Sequence, residues 1–130
     1  MLVADLTRTL WVALGGALGS IARYGIAEAM VRLTGPRFPW GILLINVVGS
    51  FIIGYFGAFS ARSGRLPVPI EIRVFVMVGI CGGFTTFSSF SLQTFDLLRS
   101  GENLLAGLNI VGSVVLCLAA VWLGVTIAQP

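Results

Sequence analysis

The sequence contains no histidine and no lysine: its eight basic residues are all arginines, and they stand beside only five acids. Without histidine, the chain lacks the side chain that most often exchanges protons near neutral pH in enzymes. A serine without a neighbouring base is not a nucleophile. The acids, which lie near the ends of the hydrophobic stretches, are Asp5, Glu28, Glu71, Asp96 and Glu102. We therefore expect a protein that is not an enzyme.

Charged side chains are scarce as well. They make up 10% of the 130 residues, whereas hydrophobic residues make up 57%, and the mean hydropathy is +1.01. A soluble domain carries about 25% charged residues, so this chain has too few polar side chains to cover a globule in water. The net charge of +3 is ordinary for a membrane protein and does not indicate nucleic-acid binding. The composition predicts a protein solvated by the lipid bilayer.

Four hydrophobic stretches are long enough to cross a bilayer, which takes about 20 apolar residues. Short links that contain proline and glycine separate them and end the helices. We expect no secretory signal, since the first stretch has span length and no convincing cleavage pattern follows it. The sequence predicts an all-α integral membrane protein with a single domain over residues 1–130. The predicted spans are residues 10–31, 40–61, 70–98 and 103–128.

The third stretch contains two adjacent glycines followed by hydroxyl residues, in the sequence GGFTTFSSFS at residues 82–91. A continuous helix over residues 70–98 would be about 44 Å long, which exceeds the roughly 30 Å hydrocarbon core. These residues favour two half-helices with an unwound segment near residues 82–86. Backbone groups freed inside a membrane need protein, ions or water as partners, and transporters use them to bind ions. The pattern therefore indicates ion handling.

The arginines divide almost evenly between the two sides of the membrane. An excess of Lys and Arg on the cytoplasmic side normally sets the orientation. A chain without that excess can insert in both directions, unless one loop arginine still decides. With both termini on one side, that side holds Arg8, Arg62, Arg65 and Arg73, and the other holds Arg32, Arg37 and Arg99.

Four helices packed at protein density enclose no water-filled path, so we expect a homodimer. Small residues spaced four apart allow helix backbones to approach closely. The sequence does not distinguish contacts within one chain from contacts between chains. Two copies inserted in opposite directions would share an isologous interface. The pairs are Gly15 and Gly19, Ser50 and Gly54, Gly79 and Gly83, and Ala120 and Gly124.

Several polar residues lie inside the predicted spans, where they need partners. Asn46 can either bridge two helices or donate its NH₂ group to an anion. Arg23 either snorkels to the surface or faces an aqueous cavity, and Glu28 can pair with it or face water. Ser113 can bond back to its own helix.

Phe87 and Phe90 lie three residues apart and therefore on one helical face. Such residues usually pack against lipid or a neighbouring helix. The edge of a phenyl ring, however, carries partial positive charge. Two ring edges beside a dry path would attract an anion without trapping it, as conduction requires. Ser88 and Ser89 would add hydroxyl donors next to them.

These motifs resemble those of the Fluc (CrcB) family of fluoride channels. Residues 82–91 are similar to the family's signature, which is highly specific. The segment GGALGSIARY at residues 15–24 resembles its first-span motif, and WGILLINVVGSFIIG at residues 40–54 its second-span motif. The resemblance covers nearly the whole chain. It implies a dual-topology homodimer of antiparallel protomers in the inner (plasma) membrane of a prokaryote, with two pores that export cytoplasmic fluoride passively and so reduce its toxicity.

The resemblance also implies roles for individual residues. A structural sodium ion would lie at the centre of the dimer, held by the backbone carbonyls of Gly82 and Thr85 from both protomers. Arg23 would be a vestibule residue. The fluoride pore would be lined by Asn46, Phe87, Phe90, Ser88, Ser89 and Ser113.

Two positions depart from the family pattern. Cys117 stands four residues after Ser113, where the family often has a threonine, and a thiol is a weaker donor. Gln93 stands where some members carry a glutamate. Cys81 and Cys117 are interpreted as buried small residues, which could form a disulfide only if their helices abut.

Two other functions fit four short spans. A small multidrug-resistance exporter would depend on a carboxylate deep in the first span, whereas here Arg23 lies at the deeper position and Glu28 near the end. A structural membrane subunit would use the same motifs for packing only. Flux of fluoride, measured against chloride, separates the three hypotheses.

Overall fold

A computed structural model gives the fold and describes residues 2–61, 64, 66 and 68–129, with side chains from residue 5 onward. This part of the chain is all-helical. Helices α3 to α5, with the residues between them, are called the third span below. The elements are α1 (Leu2–Thr34), α2 (Trp40–Phe59), α3 (Ile70–Arg73), a π-helix (Val74–Ile80), α4 (Cys81–Phe84), α5 (Phe87–Arg99) and α6 (Asn103–Ala128).

Four helical segments are long and apolar enough to cross a membrane, which confirms the prediction of four transmembrane helices. Most of their large apolar side chains are exposed on the single chain, as lipid contact requires. The first helix begins at Leu2, well before the predicted start at residue 10, and Asp5 in its first turn favours helix formation there. The second helix ends at Phe59, two residues before the predicted end.

Tight turns bring one end of all four segments together. Gly35, with φ of +78°, ends α1 and donates its N–H to Val31 (2.9 Å), and Gly101, with φ of +79°, does the same after α5 toward Leu98 (3.1 Å). Glycine adopts this backbone conformation without steric cost. An ion pair between Arg37 and Glu102 (3.5 Å) lies at the same end.

The opposite end carries the start of α1, the end of α2 and the start of α3. Arg8 and Glu71 form an ion pair there at 3.8 Å. Arg73 donates to the Gly57 carbonyl (3.2 Å) and to Ser60 Oγ (2.7 Å), so it fixes α3 to the end of α2. Two of the arginines counted for this end in the charge balance, Arg62 and Arg65, lie outside the described residues.

Glycines on α1 form its contact with the third span. A Cβ added to Gly79 would lie 2.9 Å from the Gly15 Cα, and one added to Gly83 would lie 2.9 Å from the Gly16 Cα. Since real Cβ atoms do not approach backbone atoms this closely, the two helices touch through their backbones. These small-residue positions therefore serve contacts within one chain.

Helix α6 packs along α2 in the same way. A Cβ on Gly54 would lie 2.6 Å from the Val121 carbonyl oxygen, and one on Gly124 would lie 2.7 Å from the Tyr55 nitrogen. The small residues of the second and fourth spans thus join α2 to α6 within the protomer. Helix α2 is the central element, since the third span contacts it as well.

The third span contains a feature that the sequence did not predict: residues Val74–Ile80 form a π-helix, whose hydrogen bonding reaches from the Cys81 N–H to the Val76 carbonyl. This conformation is rare and recurs at functional sites. Helical structure continues to Phe84. Thr85 (φ −81°, ψ 157°) and Thr86 (φ −155°, ψ 120°) then have extended backbone before α5 begins. We call Thr85 and Thr86 the extended segment.

Candidate functional site

Asn46 on α2 holds the extended segment in place. Its Nδ2 donates to the Thr86 carbonyl oxygen (3.1 Å), and the Thr86 N–H donates to its Oδ1 (2.8 Å). The amide thus satisfies both backbone groups of a residue that has left the helix, as buried backbone requires. Of the two roles open to Asn46 in the sequence, the structure places it in the bridging one. One hydrogen of the NH₂ group still remains for a further acceptor.

The same bond changes the surroundings of Gly82. In a continuous α-helix the Thr86 N–H would donate to the Gly82 carbonyl, but here it donates to Asn46 instead. The Cys81 carbonyl keeps partners, because it accepts the Thr85 N–H and the Thr85 hydroxyl, each at 2.9 Å. Gly82 itself is exposed, and a Cβ added there would meet no atom within 4 Å. The extended segment therefore removes the helical donor from a carbonyl in open surroundings.

Three hydroxyl groups gather at the start of α5. Thr86 is the N-cap residue, and its Oγ1 accepts the Ser89 N–H at 3.2 Å. The same oxygen lies 3.1 Å from Ser88 Oγ and 3.2 Å from Ser89 Oγ. The N-terminus of a helix carries partial positive charge from its unpaired N–H groups and favours anions. Ser88 is exposed and Ser89 is half-buried.

The two phenylalanines lie side by side on α5. Their ring centroids are 5.3 Å apart with an interplanar angle of 45°. Phe90 packs against a buried cluster of Ile42, Ile45 and Phe84. Phe87, in contrast, is 77% exposed on the single protomer. The pair therefore presents one fixed ring and one projecting ring.

A groove of about 470 Å³ lies among α2, the third span and α6. It brings together most of the residues predicted for the site, but Ser88, Ser89 and Arg23 do not line it. Ser50, Cys81 and Cys117 line it too, and both cysteines are free thiols. The predicted residues that line the groove are Asn46, Gly82, Thr85, Phe87, Phe90 and Ser113.

A buried hydrogen-bond chain leads away from the groove and was not predicted. Ser113 Oγ donates to Asn109 Oδ1 (3.5 Å), Asn109 Nδ2 donates to Thr94 Oγ1 (2.8 Å), and Thr94 Oγ1 donates to the Phe90 carbonyl (2.7 Å). Ser113 thus bonds to a side chain one turn away and not to its own helix backbone. The signal for Asn109 was present in the sequence, since an amide inside an apolar stretch needs a partner.

The remaining polar residues lie apart from the groove. Arg23 is half-buried on α1, and the ion pairs found within the described ranges are those of Arg8 and Arg37, so Arg23 is not paired with Glu28. Gln93 lines a second cavity of about 590 Å³ beside Arg37, and its buried Oε1 has no hydrogen-bond partner.

No group of three or more His, Cys, Asp or Glu residues that could hold a metal ion is found in the part of the chain that the structure describes. A cation held by the described residues would therefore depend on backbone oxygens.

Comparisons with known proteins identify the family. The family model described as CrcB-like protein, Camphor Resistance (CrcB), matches residues 10–125. A protein of Methylocella silvestris named "Fluoride-specific ion channel FluC" is 56% identical over 119 residues, which are 92% of this chain and 91% of the relative. Proteins of the same name from Opitutus terrae (58% over 115 residues, 88% and 87% of the two chains) and Paramagnetospirillum magneticum (57% over 113 residues, 87% and 88%) are similar. The chain is a multi-pass membrane protein that belongs to the CrcB family.

Proposed function

We propose that the protein is a fluoride-selective ion channel that exports cytoplasmic fluoride passively across a prokaryotic inner membrane and so reduces fluoride toxicity. One observation carries the proposal: the amide of Asn46, the hydroxyl of Ser113 and the rings of Phe87 and Phe90 line a single groove at the extended segment. The relatives that share more than half of the aligned residues are named fluoride-specific ion channels.

The chemistry of the groove suits a small anion. Its donors are neutral amide and hydroxyl groups, and among the described residues that line it there is no Asp or Glu to repel negative charge. The N-terminus of α5, with Ser88 and Ser89, adds partial positive charge next to the rings. Neutral donors replace part of the hydration shell of an ion without holding it as a fixed cation would, so the ion can leave.

A second copy of the chain, inserted in the opposite direction, would complete the pores. The groove is lined by parts of only three spans and is open at the protomer surface, where Phe87 projects. A two-fold interface makes the same groove twice, which gives two pores per homodimer. The near balance of arginines between the two ends supports insertion in both directions.

The residues at the extended segment fit the structural sodium ion that we propose for the centre of the dimer. Sodium is a hard cation, and backbone carbonyl oxygens can replace its hydration shell. Gly82 and Thr85 from both protomers would hold it, since the Gly82 carbonyl has lost its helical donor and its surroundings are open. The ion would fasten the two protomers and add positive potential beside the pores.

The direct test is efflux of fluoride from proteoliposomes that contain the purified protein. We expect rapid loss of fluoride and no comparable loss of chloride. Proton-coupled transport of organic cations without fluoride flux would instead favour an exporter, and the absence of both fluxes would favour a packing subunit. Either result would overturn the proposal.

A further inference from the structure

We propose that Asn109 is a positioning residue that sets the width of the groove and thereby its preference for fluoride over larger halides. The inference rests on the proposed fluoride-channel function and deepens it. Asn109 does not line the groove. It lies one helical turn before Ser113, inside the interface between α5 and α6.

The chain from Ser113 through Asn109 and Thr94 to Phe90 is deeply buried. Asn109 is 1% exposed, and Thr94 and Ser113 are each 7% exposed. One of its three hydrogen bonds, from Asn109 to Thr94, crosses from α6 to α5. The bond from Ser113 to Asn109 lies within α6, and the bond from Thr94 lies within α5 and ends on the backbone of Phe90, whose ring lines the groove. The two ends of this series of hydrogen bonds are therefore groove residues, the hydroxyl of Ser113 and the phenyl ring of Phe90.

The bonding pattern fixes the orientation of the Asn109 amide. The Thr94 hydroxyl has a single hydrogen, which it donates to the Phe90 carbonyl at 2.7 Å. Its oxygen can therefore only accept from Asn109, so the NH₂ group of Asn109 faces Thr94 and its carbonyl faces Ser113. The reversed amide would place two acceptors together. The hydrogen bonds from Ser113 through Asn109 and Thr94 to Phe90 therefore have one arrangement. We call this series of hydrogen bonds the tie.

The tie includes a buried side-chain hydrogen bond between α5 and α6. Helix α6 packs along α2 through Gly54 and Gly124, whereas α5 and α6 are joined at their ends by the turn at Gly101. Ser113 lies about 15 Å along α6 from Asn103, which is the depth of the bilayer centre. Apolar contacts between helices give no hydrophobic driving force in lipid, so packing and hydrogen bonds set the separation. The tie therefore holds Ser113 at a constant distance from Phe90.

A groove whose width is fixed in this way restricts the passage of large ions more than the passage of small ones. Fluoride, the smaller ion, passes Ser113 across a range of groove widths, whereas chloride enters only when the groove opens. Removing the tie should therefore lower the ratio of fluoride to chloride permeability, while fluoride continues to pass.

The experiment uses Thr94→Val, a change of similar volume that removes only the hydroxyl of the tie. Reconstituted wild-type and variant channels are compared by fluoride and chloride efflux from the same liposome preparation. We expect the fluoride-to-chloride permeability ratio of the variant to be lower than that of the wild type by a factor of at least about ten. Asn109→Leu should give the same loss. The double variant should lose no more than each single variant, since both break one chain.

Two controls separate positioning from stability. Thr94→Ser keeps the hydroxyl and should restore the wild-type ratio. Thr126→Val removes an exposed hydroxyl that bonds Trp122 on the same helix (2.8 Å), and should leave the ratio unchanged. An unchanged ratio in Thr94→Val, with or without a lower Tm, would overturn the inference and leave the channel function in place. Absence of fluoride flux in the wild-type protein would overturn both.

Discussion

Asn46 and Thr86 are joined by two hydrogen bonds, one in each direction, at 3.1 and 2.8 Å. The side-chain amide takes the place of the backbone groups that a continuous helix would have offered to Thr86. Helix α2 therefore supplies the support that lets the third span change from helix to extended backbone. The same side chain lines the groove, and it keeps one N–H for a further acceptor.

Asn46→Asp should block conduction. The carboxylate cannot donate to the Thr86 carbonyl, and it places a negative charge on the path that we propose for the anion. The lost hydrogen bond lowers stability by about 1–3 kcal/mol. Because the added charge repels the anion, we expect fluoride flux in liposomes to fall by more than about tenfold. Asn103→Asp, on the exposed start of α6, is the matched control. Normal throughput in Asn46→Asp would remove this residue from the pore.

Phe87→Ile and Phe90→Ile should each lower fluoride flux while the dimer persists. An aliphatic side chain lacks the partial positive charge of a ring edge. Interactions with ring edges contribute about 0.5–1.5 kcal/mol in aromatic pairs, so we expect the fluoride flux to fall about two- to tenfold. Size-exclusion chromatography checks the dimer, and Phe95→Ile on an exposed part of the same helix serves as control. Wild-type flux in both variants would contradict a pore role for the rings.

Gly83→Ala should destabilise the protein. The added methyl group would lie 2.9 Å from the Gly16 Cα and would force α1 away from the third span. Overpacking of this kind costs about 1–3 kcal/mol, which should appear as a lower Tm in detergent. Gly112→Ala is the matched control, because a Cβ there meets no atom within 4 Å. Equal Tm values for the two variants would show that the helices do not touch at Gly83.

Arg73→Met should also lower stability. The guanidinium donates to Gly57 and Ser60 at the C-terminal end of α2. A positive charge there interacts favourably with the negative end of the helix dipole. Hydrogen bonds from a charged group contribute about 1.5–3 kcal/mol. Arg37→Met, which removes an exposed ion pair, should change the Tm little. If both variants melt at the wild-type temperature, Arg73 does not fix α3 to α2.

Replacing sodium with N-methylglucamine should weaken the dimer. A bound ion stabilises the folded assembly by about 2.7 kcal/mol when its concentration is one hundred times its Kd. The Tm and the dimer fraction in detergent should therefore rise with sodium concentration at constant ionic strength. A Tm that is independent of sodium would exclude a structural ion at Gly82 and Thr85.

The sequence predicted the four transmembrane helices because hydrophobic length and turn residues are properties of the chain alone. It also pointed to Asn46, since an amide in an apolar stretch needs a partner. It left two roles open for that residue, and only the position of Thr86 on another span decides that the amide bridges.

The π-helix and the buried chain through Asn109 could not be predicted in the same way. Residues 74–80 are apolar, and their composition is equally suited to an α-helix. The π-helix includes Gly79, whose backbone lies against that of Gly15 on another helix. Ser113 lies one turn from Asn109 on the same helix, but the other partner, Thr94, becomes a neighbour only when α5 and α6 fold together. Contacts of this kind depend on three-dimensional packing.

The third span is fixed to α2 at two points, through Arg73 near its start and through Thr86 in its middle, and the π-helix lies between them. The number of residues between two fixed points cannot change without displacing one of them. Insertions and deletions should therefore be tolerated in the link after α2 but not within residues 74–85. The structure therefore constrains the length of this part of the chain as well as its residue types.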